Sequence, residues 1–148
     1  MKISPASLHR LLCVIACTLF VSGPGFAETP PVSTRLILKG HDPVAYFTEN
    51  KPVKGATEIN YDWDDGRYLF SNAKNKQSFA ANPDRYAPQF AGFCTAGVSK
   101  GMKAEANPEL FMIVDGKLYT FSSAKARDAA QADPTMFSRA AKNWQEKK

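Results

Sequence analysis

One short phrase occurs twice in this chain, and its spacing constrains the fold more than any single residue does. Phe70-Ser71-Asn72-Ala73-Lys74 matches Phe121-Ser122-Ser123-Ala124-Lys125 at an offset of 51. At the same offset Lys76 meets Arg127, Asn82-Pro83 meets Asp133-Pro134, and Tyr86 meets Phe137. Each phrase follows a hairpin signal. Ile59, Tyr61 and Trp63 alternate with polar residues, Asp64-Asp65-Gly66 turns the chain, and Tyr68-Leu69-Phe70 returns it. In the second copy Phe111 to Val114, Asp115-Gly116 and Leu118 to Phe121 do the same. A recurrence of this kind is a repeat signature. One hairpin with one helix is too small to cover its own apolar face, so the two units are expected to share a core. The expected fold class is α+β: a small single domain of antiparallel hairpins packed with helices, with Trp63 and Trp144 largely buried.

The helix of the first unit is expected to open at Ser71 as N-cap and run to about Ala81, with Ala73, Phe79 and Ala80 facing inward. Ser122 or Ser123 opens its counterpart. Asp133 and Pro134 read as the start of a last helix whose stripe is Met136, Phe137, Ala140, Ala141 and Trp144. Upstream, Leu36 to Leu38 begin ordered structure, Gly40-His41-Asp42-Pro43 marks a turn, and Val44 to Phe47 is a short apolar element.

The first 27 residues read as a signal peptide. Lys2 and Arg10 are its positive region, Leu11 to Val21 its apolar run, and Gly25-Phe26-Ala27 its cleavage site. The run is too short to span a bilayer, which takes about 20 apolar residues. Val14-Ile15-Ala16-Cys17 resembles a lipobox, but the apolar run continues past Cys17, so cleavage after Ala27 is favoured. Residues 28–40 are then a Pro-containing lead-in and 41–148 the domain, periplasmic or secreted. The leader takes two positive charges and two of the three cysteines with it, leaving a charge milder than the +5 of the whole chain. No Lys/Arg cluster remains, so nucleic acid is a poor partner. A monomer is expected. Cys94, alone in the exported part, leaves no intramolecular disulfide.

Gly40 to Phe47, Tyr68 to Ser71, Phe79 to Phe90, Ala91 to Gly101 and Val114 to Tyr119 form an ordered series of motifs. The series resembles the exported bacterial branch of the YHS domain family and covers roughly His41 to Tyr119. The resemblance implies a small α+β domain. Relatives attached to heavy-metal pumps carry cysteines after the Asp-Pro-Val turn and at the helix start; here Ala45, Ser71 and Asn75 stand there. A site of several thiolates cannot be built, so that role does not carry over. His41 stands where relatives of this branch often have Tyr.

Cys94, among Gly92, Thr95, Ala96 and Gly97, is either a reactive or ligating thiol or a buried small hydrophobe. His41 with Asp42 is either a ligand or base or a turn residue. Met102 is the methionine expected to be exposed, while Met112 and Met136 belong to the core. Together Cys94, His41 and Met102 would be a soft set suited to copper. The aromatic residues Tyr46, Phe47, Tyr68, Tyr86, Phe90 and Phe93 read as core, with a pocket lining as the alternative. Three functions follow: a binding or accessory domain, with copper handling as one form of it; an interaction module without chemistry; and, last, a thiol enzyme using Cys94 with His41 as base.

Overall fold

The computed structural model describes residues 34–146, so the expected leader and the Ala27 site lie outside the described residues. The chain enters as a two-residue strand β1 (Arg35–Leu36), a turn over Ile37–Gly40 and one helical turn α1 (Ala45–Thr48). The hairpin β2 (Ala56–Trp63) and β3 (Gly66–Phe70) follows, then α2 (Ala73–Ala81) and the short α3 (Pro83–Tyr86). The series then recurs: a turn over Gln89–Gly92, one helical turn α4 (Thr95–Val98), the hairpin β4 (Asn107–Val114) and β5 (Lys117–Phe121), α5 (Ala124–Ala132) and α6 (Thr135–Gln145). Both hairpins and the helix after each begin and end at positions 51 apart. The repeat in sequence is therefore a repeat of structure, and the fold is α+β.

Even irregularities recur. The β2–β3 register shifts between Ala56 and Asn60, and the β4–β5 register shifts between Asn107 and Phe111. Asp64 and Asp65 have φ of 45° and 59°, and Asp115 and Gly116 have 50° and 70°. Two successive positive φ values make the turn that suits a twisted hairpin, and Asp is one of the few side chains that tolerates them. β1 runs parallel to β3, whereas the second half has isolated parallel bridges, Pro88 to Leu118 and Cys94 to Thr120.

A second duplicated device was not visible in the sequence. Leu38, Lys39 and Gly40 have φ of 52°, 48° and 77°, and Phe90, Ala91 and Gly92 have 56°, 51° and 74°. Left-handed backbone costs a non-glycine residue about 1–2 kcal/mol, so the surroundings must hold it. Gly55 donates its N–H to the Gly40 carbonyl at 2.9 Å, and Thr120 Oγ1 donates to the Gly92 carbonyl at 3.1 Å. Ile37 and Leu38 are buried in the core. The domain therefore begins before residue 41, and 37–40 belong to it and not to a lead-in.

The core is divided. One cluster centres on Tyr46, Phe70, Phe79 and, from the second half, Leu118. The other centres on Phe90, Phe121, Ala130, Met136 and Ala140, all from the second half. Tyr46 ties the halves together, donating its hydroxyl to the Pro108 carbonyl at 3.0 Å and meeting the Phe111 ring edge-on at 4.8 Å. Trp63 and Trp144 pack only partly, one on each cluster. They are half-buried, not core, because each closes the rim of its own half.

Two expectations about α2 fail for one reason. Its N-cap is Asn72, whose side chain accepts from Asn75 N, and not Ser71. Ser71 is one residue too early because its hydroxyl is turned to Asp42. That places Asn75 and Phe79 on the buried face and leaves Ala73 and Ala80 exposed. At the matching position Ser123 caps α5. Asp133 accepts from Thr135 N, so α6 starts at Thr135, one residue beyond Pro134.

Candidate functional site

The three expected soft donors meet three different surroundings. Cys94 is 2% exposed. Its backbone N–H donates to the Ala104 carbonyl, and it bridges to Thr120, which fixes it as a small apolar plug before α4. His41 is buried as well: Nδ1 lies 2.8 Å from the Leu38 carbonyl and Nε2 3.8 Å from Glu109 Oε1. Met102 is 55% exposed beside Lys103, Asn143 and Trp144. No hydrogen bond or ion pair among the described residues joins any two of Cys94, His41 and Met102. Among those residues no group of three or more His, Cys, Asp or Glu is placed to hold a metal ion.

What the turn at Gly40–Pro43 does bring together is a buried polar cluster around Asp42, which is 0% exposed. Asp42 Oδ1 accepts from Val44 N at 2.9 Å. Oδ2 accepts from Ser71 N at 2.9 Å, Ser71 Oγ at 2.7 Å and Asn75 Nδ2 at 2.7 Å. Ser71 and Asn75 stand at two of the positions compared above with the cysteines of the metal-handling YHS pattern. In this chain they are donors to a carboxylate, and every contact is internal. The cluster pins α2 to the turn, which is a structural task.

A different feature has room for a ligand. Between the two halves lies a cleft of ≈ 290 Å³ with an aromatic wall from each. Trp63, at the end of β2, stands 6.3 Å from Tyr68 of β3. Opposite, Phe90 sits in the second left-handed turn, 5.9 Å from Trp144 of α6. Asp64, Asp84 and Lys117 also line the cleft, and none of the three has an ion pair among the described residues. Tyr68 is only 3% exposed as a residue, but its hydroxyl reaches solvent and has no protein hydrogen-bond partner among the described residues. Burial, reinforced by the negative charge of Asp64, pushes its ionisation well above the ordinary tyrosine range. It stays a neutral hydroxyl that can donate and accept. A neighbouring depression shares Asp64, Ala91 and Trp144 with the cleft and extends it past Arg35. There Arg35 is already engaged by both oxygens of Glu105, at 3.0 and 3.1 Å, by the Ala91 carbonyl and by the Phe93 ring.

No family model, curated protein or solved structure matches this chain. Tyr68 and Phe90 were among the aromatics for which a pocket was the alternative to core. Trp63 and Trp144 were assigned to the core and are the residues the sequence reading missed. A signal for them existed: Trp63 directly precedes the Asp64-Asp65 turn, and a residue at a hairpin end is only half covered.

Proposed function

We propose that this chain is an exported YHS-type binding or accessory domain, and that its ligand enters the cleft between the two halves. The observation that carries the reading is the cleft itself, lined from the first half by Trp63 and Tyr68 and from the second by Phe90 and Trp144. Few ordered polar groups in an aromatic cleft are the usual make-up of a small-molecule site. The motif series from His41 to Tyr119 supports the family, and the leader motif supports export. Copper handling draws no support from the geometry, since Cys94 is a buried plug, His41 faces Leu38 and Glu109, and Met102 faces outward. A thiol enzyme is supported no better, because no hydrogen bond couples His41 to Cys94.

The test is a small-molecule screen by NMR on labelled mature protein. Compounds that bind should move the indole N–H resonances of Trp63 and Trp144, and Tyr68→Phe should weaken those able to hydrogen-bond. The proposal fails if binding compounds move neither indole, or if none binds.

A further inference from the structure

The cleft has a charge and a surface chemistry that together define a ligand class. The half-buried rings of Trp63 and Trp144 line it, with Tyr68 and Phe90, almost wholly buried, behind them. Aromatic faces are electron-rich and attract cations, most strongly when water is displaced. Asp64 and Asp84 add two carboxylates, and Lys117 one ammonium, so the lining carries one net negative charge. Several carboxylates elsewhere on the surface are matched, as in Asp62 with Arg67, Glu105 with Arg35 and Asp133 with Arg139. The basic groups of the neighbouring depression are occupied in turn. Arg35 is held by Glu105, and the Lys103 ammonium lies 5.0 Å over the Trp144 ring. That last contact shows one of these rings already serving as a cation platform.

Other ligand chemistries fit less well. An anion would find only Lys117 against two carboxylates. A bare metal ion needs oxygen ligands from several directions, and Asp64 and Asp84 fall short of a group of three or more His, Cys, Asp or Glu, which no part of the described residues provides. A primary ammonium would be served by Asp64, Asp84, Gln89 and Gln145 but would leave the Trp63 and Trp144 ring surface unused. An alkylated nitrogen uses both, its charge beside the carboxylates and its methyl groups against the rings. We propose that the cleft binds a small organic cation of the quaternary or methylated ammonium class, seated against Trp63 and Trp144 beside Asp64 and Asp84. The Tyr68 hydroxyl is placed to bond a polar group on the same molecule. This inference rests on the cleft being a binding site and adds the identity of what enters it.

The chain has two tryptophans, and both line the cleft, so intrinsic fluorescence reports on it directly. Mature protein is titrated with choline and, separately, with its neutral isostere 3,3-dimethylbutan-1-ol. Choline should give a saturable change, with the isostere weaker by about tenfold, the order expected from a cation–π contact of ~1–2 kcal/mol. Asp64→Asn with Asp84→Asn should weaken choline about as much while leaving the isostere and the melting temperature unchanged, since both side chains are exposed. Equal binding of choline and isostere, or full choline affinity in the double variant, overturns the cation inference and leaves the cleft as a binding site. So does saturable binding of methyl glucoside with none of choline. Silence toward all three compounds also overturns it, while the binding proposal then stands or falls on the NMR screen.

Discussion

Replacing Asp42 by Asn should be among the most damaging isosteric changes available in this domain. The carboxylate is fully buried and accepts four hydrogen bonds, one at Oδ1 and three at Oδ2. An amide has one acceptor atom. If its oxygen takes the Oδ2 place, its NH₂ confronts the Val44 N–H; if it flips, the NH₂ confronts Ser71 N and Asn75 Nδ2. Either way at least one buried donor is left facing another donor, which costs about 1–3 kcal/mol. The remaining bonds also lose their charge assistance, which roughly halves their strength. A loss of about 3–5 kcal/mol follows, in line with breaking a buried charged network. For a domain of this size that corresponds to a fall in melting temperature of roughly 10 °C or more. The internal repeat supplies the control. Cys94 occupies the matching place in the second half: Asp42 N donates to the Val53 carbonyl at 2.8 Å, and Cys94 N to the Ala104 carbonyl at 2.8 Å. At an offset of 51, Ser122 and Ala126 replace Ser71 and Asn75, so no comparable donor set surrounds the thiol. Cys94→Ala should cost only about 1–2 kcal/mol, the loss of one small apolar group. Urea denaturation followed by tryptophan fluorescence measures both. If Asp42→Asn is no more destabilising than Cys94→Ala, the carboxylate is not the anchor described.

Gly55→Ala should destabilise by about 1–3 kcal/mol, because its Cβ would fall 2.5 Å from the Leu69 carbonyl carbon and 2.7 Å from Phe70 N, both backbone atoms; an unchanged urea midpoint would contradict this. Burial raises the ionisation of Tyr46, Tyr68 and Tyr119 above the ordinary value of 10.0. The unfolded chain therefore loses these protons first. The stability they contribute is present in full below pH ~10 and lost as pH climbs toward the folded values, so absorbance at 295 nm should show delayed titration ending in cooperative alkaline unfolding. Early, non-cooperative titration of all five tyrosines would refute it. Protein recovered from a periplasmic fraction should have an intact mass lacking the first 27 residues, and a lipid-modified chain beginning at Cys17 would overturn the assigned leader.

The hairpins and helices could be read from the sequence because local chemistry sets them. Alternation in Ile59, Tyr61 and Trp63, an Asp-rich turn, and a cap followed by Ala-Lys each speak through neighbours a few residues apart. The errors came where a distant partner intervenes. Ser71 looks like a cap until Asp42, 29 residues earlier, takes its hydroxyl, and the cap moves to Asn72. Leu38 and Phe90 share a left-handed backbone held by remote contacts with Gly55 and Thr120, and no side-chain motif announces it. The offset there is 52 and not 51, so the turns fall out of register with the repeat that was visible. The soft donors failed similarly: residue type suggested a set, but Cys94 is spent on packing and His41 on a carbonyl.

The duplication also explains why the cleft lies where it does. Two units of like fold, each closing most of its own apolar cluster, meet along a seam that neither one's internal packing has to fill. Positions 51 apart have diverged at that seam: Trp63 corresponds to Val114, and α6 runs to Gln145 where its counterpart α3 stops at Tyr86. The longer α6 is what carries Trp144 to the seam, opposite Trp63. A symmetric pair would repeat the same side chain on both walls. Here the walls differ, and the carboxylates Asp64 and Asp84 both come from the first half. Replacing Trp144 by Ala should therefore remove one wall while leaving the core residues Met136 and Ala140 of α6 in place, abolishing the fluorescence response to any cleft ligand. Loss of the response with the first-half hairpin intact would assign binding to the seam. Retention, reported by Trp63 alone, would place the ligand on the first half and not between the two.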